Sequence, residues 1–359
     1  MTRPPDVFPP RPSSLRGRRR ELATLVAGVR GGHPTRIALV GAGGSGKSTL
    51  ACALGHRVSR DFPGGIHWFR VGAWDAHTLL EMLALRFRTP RQRLLPALRR
   101  ELGARGDSFV VLDNHEDDAA VATLLDELRD APVTWLVTAR RCLLAGVSIF
   151  PVIAPLVTSG RSAFPRVASL TRLLRWNPLA LDLADALVAD GVARVSELEH
   201  FLRSRGVDRV RVIEHEDDLP EVGLLVELAW KRLSPAPRRM LGVLAHTEGD
   251  HVDRESLFKL ARARAGAAEA LDTLCRWHLV QEPFVGRFAL HATVQHAVAR
   301  RTRADPRRHF EHYVALIEQH PERLDLEQTH LFSALDYAHS AGNLAAALRL
   351  DDLLTGLDM

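Results

Sequence analysis

Arg36-Ile37-Ala38-Leu39-Val40-Gly41-Ala42-Gly43-Gly44-Ser45-Gly46-Lys47-Ser48-Thr49-Leu50-Ala51-Cys52-Ala53-Leu54 decides the fold. Its centre, residues 41–48, has the spacing G-x-x-x-x-G-K-[ST] of a phosphate-binding loop. The flanks fit. The run before it is β-branched and apolar, as a buried strand requires, and the run after it opens a helix. The physics needs this order. A strand delivers the loop, glycines let backbone N–H groups curl around phosphate oxygens, and the helix N-terminus adds partial positive charge. Gly41, Gly43, Gly44, Ser45, Gly46, Lys47, Ser48 and Thr49 are therefore expected to bind a nucleotide. Lys47 would reach the β- and γ-phosphates, and the Ser48 hydroxyl would ligate Mg²⁺.

Working outward, strands alternate with helices. Helix is expected over residues 20–30, strand over 36–40 and 66–71, helix over 76–88 and 91–103. Strand follows at 108–113, an amphipathic helix around 121–128 and a strand at 133–138. Such alternation means a parallel sheet in an α/β layer, ending near residue 155. Residues 166–203 read as helical with a break at Asn177-Pro178, and the charged stretch 207–220 reads as a linker. Short helices follow, then a hairpin of strands 278–281 and 287–291 about a turn at 283–286, which suggests a winged helix. The tail, 305–355, reads as helical, with Leu331, Ala334, Leu335 and Ala338 on one face.

The expected domains are a disordered lead (1–14), a nucleotide-binding domain (15–155), a helical lid subdomain (156–206) and a linker (207–220). A winged helix (221–303) and a helical tail (304–359) complete them. The lead is expected to be disordered because its 14 residues hold five prolines and no apolar core segment. No run of 18 apolar residues occurs, so no membrane span is expected. Cys52, Cys142 and Cys275 match no metal spacing, which suits free thiols in a reducing cytoplasm. The net charge is +5, but 48 basic and 43 acidic residues are interspersed, so the surplus says little about nucleic acid.

Asp113 ends a strand, where ligands bind in open parallel sheets. A carboxylate there can hold Mg²⁺ through water, or merely cap the next turn. Glu116 could polarise an attacking water, or be one of the solvated acids of Glu116-Asp117-Asp118. Arg140, after the next strand, could reach a γ-phosphate; Arg141 is its competitor. The basic cluster Arg16-Gly17-Arg18-Arg19-Arg20 reads most simply as a solvated helix start.

Several further segments carry a resemblance. Leu15-Arg16-Gly17-Arg18-Arg19-Arg20-Glu21-Leu22 is similar to the pattern hydrophobic-x-Gly-Arg-x-x-Glu-Leu. Phe62-Pro63-Gly64-Gly65-Ile66-His67-Trp68, Val111-Leu112-Asp113-Asn114-His115-Glu116 and Leu136-Val137-Thr138-Ala139-Arg140 follow in order. Asn177-Pro178-Leu179-Ala180-Leu181 and Phe288-Ala289-Leu290-His291-Ala292 complete the series. Over roughly residues 15–300 the chain resembles the STAND class of signal-transduction P-loop ATPases, in particular the NB-ARC-like modules of bacterial regulators. The tail resembles the start of a tetratricopeptide-like array.

The resemblance implies an α/β P-loop NTPase domain followed by an all-helical subdomain, a winged helix and a helical tail. It implies ATP or ADP with Mg²⁺ as ligands. Lys47, Asp113, Glu116 and Arg140 would carry hydrolysis, Ser48 and Asp113 would hold the metal, and Arg18 would lie near the nucleotide. Pro178 would pack on the adenine, and His291 would contact the β-phosphate of ADP. Such a protein is a switch, closed with ADP and opened for assembly by ATP. A protein partner or effector in trans, and a nucleotide-dependent homo-oligomer, are implied with it. Two departures stand out: Asn177 replaces a glycine, where a left-handed turn would be tolerated by asparagine, and Ala292 replaces an aspartate. DNA is not expected as a partner, because the helix over 266–276 is almost all apolar or acidic, whereas groove readers need Arg, Lys, Asn or Gln. A DNA-binding ATPase and a non-hydrolysing nucleotide scaffold are the alternatives.

Overall fold

The structure is a computed structural model. It describes residues 8–12, 15, 18–31, 35–72, 74–89, 93–153, 165–205, 219–247 and 251–355. The chain divides into two compact units, Met1–Pro155 and Leu156–Leu357.

In the first unit the order is α1 (Arg19–Arg30), β1 (Arg36–Val40), α2 (Lys47–Val58), β2 (Gly65–Arg70), α3 (Ala76–Arg86) and α4 (Leu94–Arg105). Then come β3 (Ser108–His115), α5 (Asp118–Glu127), β4 (Val133–Ala139) and β5 (Ser148–Pro151). The strands form one parallel sheet in the order β2-β3-β4-β1-β5. β3 and β4 are buried almost throughout, which is why Phe109–Leu112 and Trp135–Val137 read as continuous apolar runs rather than alternating ones. Leu50, Leu54 and Val58 of α2 pack with Leu25 and Val29 of α1 against Leu39, Val111 and Leu136 of the sheet.

Two sequence expectations change here. β5 went unrecognised because it is short, largely exposed and ends in proline, all marks of an edge strand. Residues 8–12 of the supposedly disordered lead pack on the domain. Phe8 is 7% exposed and lies edge-on to His56 and Trp68. The carbonyls of Pro9 and Pro10 accept from the Cys52 thiol, and that of Pro9 also contacts His56 Nε2 at 2.7 Å. Gly55 makes room for the Phe8 ring, since a Cβ there would come within 2.2 Å of it. Residues 1–7, 13 and 14 lie outside the described residues, as do Arg16 and Gly17 of the opening motif.

The second unit begins with a 3-10 stretch (Pro165–Leu170), then α6 (Pro178–Ala189), α7 (Val195–Ser204), α8 (Pro220–Arg232), α9 (Pro235–His246), β6 (Val252–Asp253) and α10 (Arg254–Leu260). It continues through α11 (Ala267–Arg276), β7 (Gln281–Phe284), β8 (Arg287–Ala289), α12 (Ala292–Ala299), α13 (Pro306–Gln319), α14 (Leu324–Ser340) and α15 (Leu344–Thr355). The strands form an antiparallel sheet, β6-β8-β7. One hydrophobic core runs from Val167 to Val298, so the lid and winged-helix segments, expected as separate domains, share an interior. Trp277 Nε1 donates to Asp190 at 2.6 Å across the same boundary. The expected linker falls mostly on residues 206–218, outside the described residues.

The hairpin is shifted from its expected register. His278 takes φ +54 and the amides of Leu279 and Val280 return to the carbonyl of Leu274, so these residues close α11. Pro283 lies within β7, where an edge strand tolerates a missing N–H. A second pairing secures the tail: Tyr313, Ile317, Leu331 and Leu350 form a core with Leu260 of α10. Among the described residues no helix is long and apolar enough to cross a membrane.

Candidate nucleotide site

The loop between β1 and α2 lies at the C-terminal end of the sheet. Gly44 and Gly46 take φ +69 and +88, which an ordinary residue resists. Gly41 leaves no space for a side chain, since a Cβ would stand 2.3 Å from the Val152 carbonyl oxygen. Lys47 Nζ donates to the carbonyls of Gly41 and Ala42, at 2.8 and 2.9 Å. Burial, against the nearby charge of Asp113 and aided by that of Arg140, lowers its pKa from 10.5 to about 8.

The Ser48 hydroxyl donates to Asp113 Oδ1 at 2.7 Å, and Thr138 Oγ1 donates to the same oxygen at 2.5 Å. Immediately beyond Asp113 the register of β3 with β4 shifts, and Asn114 takes φ +58. Asn114 N donates to Thr138 Oγ1 at 2.9 Å, so Thr138 orients Asp113 and receives the next residue. Glu116 is exposed and accepts from Asn114 Nδ2 at 3.0 Å. Between the two arginine candidates, Arg140 is half-buried and acts electrostatically on Lys47, whereas Arg141 is exposed.

Arg18 corrects the reading of its cluster as a solvated helix start. It is 4% exposed, and its Nη2 donates to the carbonyls of Ser45 and Ile153, at 2.5 and 2.8 Å. Nη1 pairs with Glu21 at 2.5 Å. Arg18 therefore clamps the loop backbone to the segment after β5. Arg19 and Arg20 are exposed, as a helix start would have them.

The residues present fit a Mg²⁺–nucleotide. The buried Ser45 Oγ has no hydrogen-bond partner, Gly44 and Gly46 give the loop the left-handed turns of an anion cradle, and the Ser48–Asp113 oxygens are hard donors. Mg²⁺ usually takes one or two protein oxygens beside phosphate and water. Thr49 is exposed at the start of α2, and Gly43 is buried in the loop. Sequence reasoning missed Thr138 and the clamping contacts of Arg18. Thr138 carried a signal, since a buried hydroxyl at the end of a largely apolar strand must find a partner.

Pro178 and His291 belong to the second unit. Pro178 is the first residue of α6, and Asn177 caps that helix by accepting from Ala180 N at 3.2 Å. Asn177 takes φ −68, not a left-handed turn; the positive φ values fall at Arg175 (+51) and Trp176 (+57). An asparagine serves here because its side-chain oxygen caps. His291 caps α12, Nδ1 accepting from Thr293 N at 3.2 Å, which puts the proton of the neutral ring on Nε2. On α11, Arg276 reaches Asp190 at 3.4 Å.

Fold and loop together define a P-loop NTPase architecture. The chain is similar to a STAND protein with a tetratricopeptide repeat sensor from Pyrococcus horikoshii, at TM-score 0.58 and 16% identity. That match covers 97% of this chain and 52% of the other, so the chain spans about half the length of that neighbour. A Cdc6p from Pyrobaculum aerophilum matches at TM-score 0.36 and 13% identity, over 83% of this chain and 98% of the other. The Aeropyrum pernix Orc1 protein in complex with DNA matches at TM-score 0.33 and 15% identity, over 80% and 94%. No family model and no curated protein matches the sequence.

Proposed function

We propose that this chain binds ADP and ATP with Mg²⁺ at the 41–48 loop, hydrolyses ATP slowly and works as a nucleotide-dependent switch. The observation that carries this reading is the convergence of Lys47, Ser48, Asp113 and Arg140 at the ends of β1, β3 and β4. Lys47 exchanges its carbonyl partners for phosphate oxygens. Ser48 and Asp113 supply oxygens to Mg²⁺, which when bound neutralises charge on the phosphoryl oxygens. Thr138 holds Asp113 in place, and Arg140 reports the γ-phosphate. Glu116, steered by Asn114, orients the attacking water. Arg18 holds the loop in its binding shape. Pro178 keeps the adenine-packing role implied by the resemblance. His291 keeps the phosphate-contacting role implied by the resemblance. With Ala292 in place of an aspartate, the ADP-closed state is weaker than in relatives.

The switch acts in the cytoplasm through a protein partner or through copies of itself. That reading draws on the likeness to the Pyrococcus neighbour, a signal-transduction ATPase with a repeat sensor. The test is to denature the purified protein and identify released nucleotide by chromatography, beside Lys47→Ala. ADP in the wild type and none in the variant supports the switch, and ADP that survives exhaustive dialysis counts against the weakened closed state. No nucleotide, and no binding of added ATP, sinks it. Unchanged turnover in Glu116→Gln would remove that residue from the mechanism. For the DNA-binding alternative, filter binding with a salt titration decides; a steep slope would establish it.

A further inference from the structure

A cavity of about 810 Å³ lies within the second unit, walled by α9, the end of α10, the start of α13 and α14. Its size is that of a small-molecule site, which typically spans roughly 300–1,000 Å³. Five arginines line it, Arg238, Arg239, Arg262, Arg303 and Arg308, against two carboxylates, Asp305 and Asp336. Three of the arginines are held by neutral acceptors. Arg238 donates to the carbonyls of Trp230 and Lys231 (2.9 and 3.4 Å), Arg239 to Ala261 (2.8 Å) and Arg308 to Lys259 (3.0 Å). Among the described residues none of the five pairs with a carboxylate. Asp305 instead caps α13, accepting from Arg308 N at 3.2 Å.

A carbonyl fixes a guanidinium without cancelling its charge. Like charges gathered around one concavity repel each other and focus a positive potential into it. Backbone strain falls at the same place: Arg262, a non-glycine residue on the rim, takes φ +49. Several arginines lining one space match a ligand with several phosphate oxygens better than a single carboxylate. We propose that this cavity binds a small, multiply phosphorylated molecule, at a site separate from the nucleotide loop. Its walls come from both the hairpin-bearing part and the helical tail, so occupancy favours their packed arrangement.

Inorganic tripolyphosphate is the probe, titrated calorimetrically into the full chain carrying Lys47→Ala so that the loop does not contribute. One equivalent should bind. Adding Arg239→Ala with Arg308→Ala should weaken it at least roughly tenfold. Arg303→Glu, at an exposed position, gives the same test should the double substitution misfold. In an otherwise wild-type chain these substitutions should leave ADP binding unchanged, which separates this site from the loop. No tripolyphosphate binding, or equal affinity in all variants, overturns the proposal. Salt-sensitive duplex binding lost in the same variants, with no tripolyphosphate binding, would assign the arginines to nucleic acid and overturn it as well.

Discussion

The Ser48 hydroxyl donates to Asp113 Oδ1 at 2.7 Å although 65 residues separate them in the chain. The contact joins the helix that follows the loop to the far end of another strand, and on the proposed reading these two oxygens would hold the divalent cation. Asp113→Ala is expected to abolish the Mg²⁺ dependence of nucleotide affinity and to lower stability by about 1–3 kcal/mol, since Ser48 and the buried Thr138 lose their acceptor. Asp113→Asn should keep most of the stability and still lose the metal dependence. Calorimetry with and without Mg²⁺, beside urea denaturation, separates the two effects.

Lys47 titrates at about 8 rather than 10.5. Above pH 8 the free protein loses that proton, while bound polyphosphate retains it. Nucleotide affinity should therefore fall above pH 8, by up to roughly tenfold per unit, with uptake of a proton on binding. The free chain itself should gain stability between about pH 8 and 10.5, because the unfolded chain holds this proton more tightly. Titration in two buffers of different ionisation enthalpy measures the uptake; none at pH 9 would place Lys47 away from the phosphates.

Glu327 is fully buried and accepts two bonds from Arg287, at 2.9 and 2.7 Å, and one from Arg323 at 2.7 Å. Burial pushes its carboxyl up, but Arg287, His330 and Arg323 together pull it below the ordinary value. Glu327→Ala leaves Arg287 buried without its partner and should cost about 3–5 kcal/mol. Replacing both, with Glu327→Leu and Arg287→Met, should cost much less. Equal losses in urea denaturation would mean that the pair, rather than the stranded charge, carries the energy.

Burial holds His251 and His309 down to about 3, and His330 to about 4. Arg287, Glu327, Asp253, Arg323, His312 and Tyr313 face this cluster. These histidines are neutral when folded, while the unfolded chain takes up their protons below about 6.5. Stability is therefore present above that pH and lost as it falls toward 4. The melting temperature should drop by several degrees, roughly 5 °C or more, between pH 7 and pH 5. His330→Gln should flatten this slope, and an unchanged slope would remove His330 from the effect.

Phe8 fills the space that Gly55 leaves open beside His56 and Trp68. Phe8→Ala should cost about 3 kcal/mol, as large-to-small core changes do. A loss below about 0.5 kcal/mol, the size of a surface change, would mean that the segment contributes nothing to the domain.

The sequence by itself determined the α/β layer, the loop and the candidate residues Lys47, Ser48, Asp113 and Arg140, because local rules govern these. Strand runs, glycine spacing and helix starts are written within a few residues of one another. It could not show that Arg18 is a buried clamp rather than a solvated charge, since the carbonyls it meets come from Ser45 and Ile153. Nor could it show that Thr138 orients Asp113, that Phe8 belongs to the core, or that the segments expected as lid and winged helix share one interior. Charges of both signs looked evenly spread along the chain, and only the fold gathers Arg238, Arg239, Arg262, Arg303 and Arg308 around one cavity. The reason is physical. Hydrogen bonding, burial and electrostatics depend on distance in space, and a polymer's sequence fixes that distance only through the packing of the whole unit.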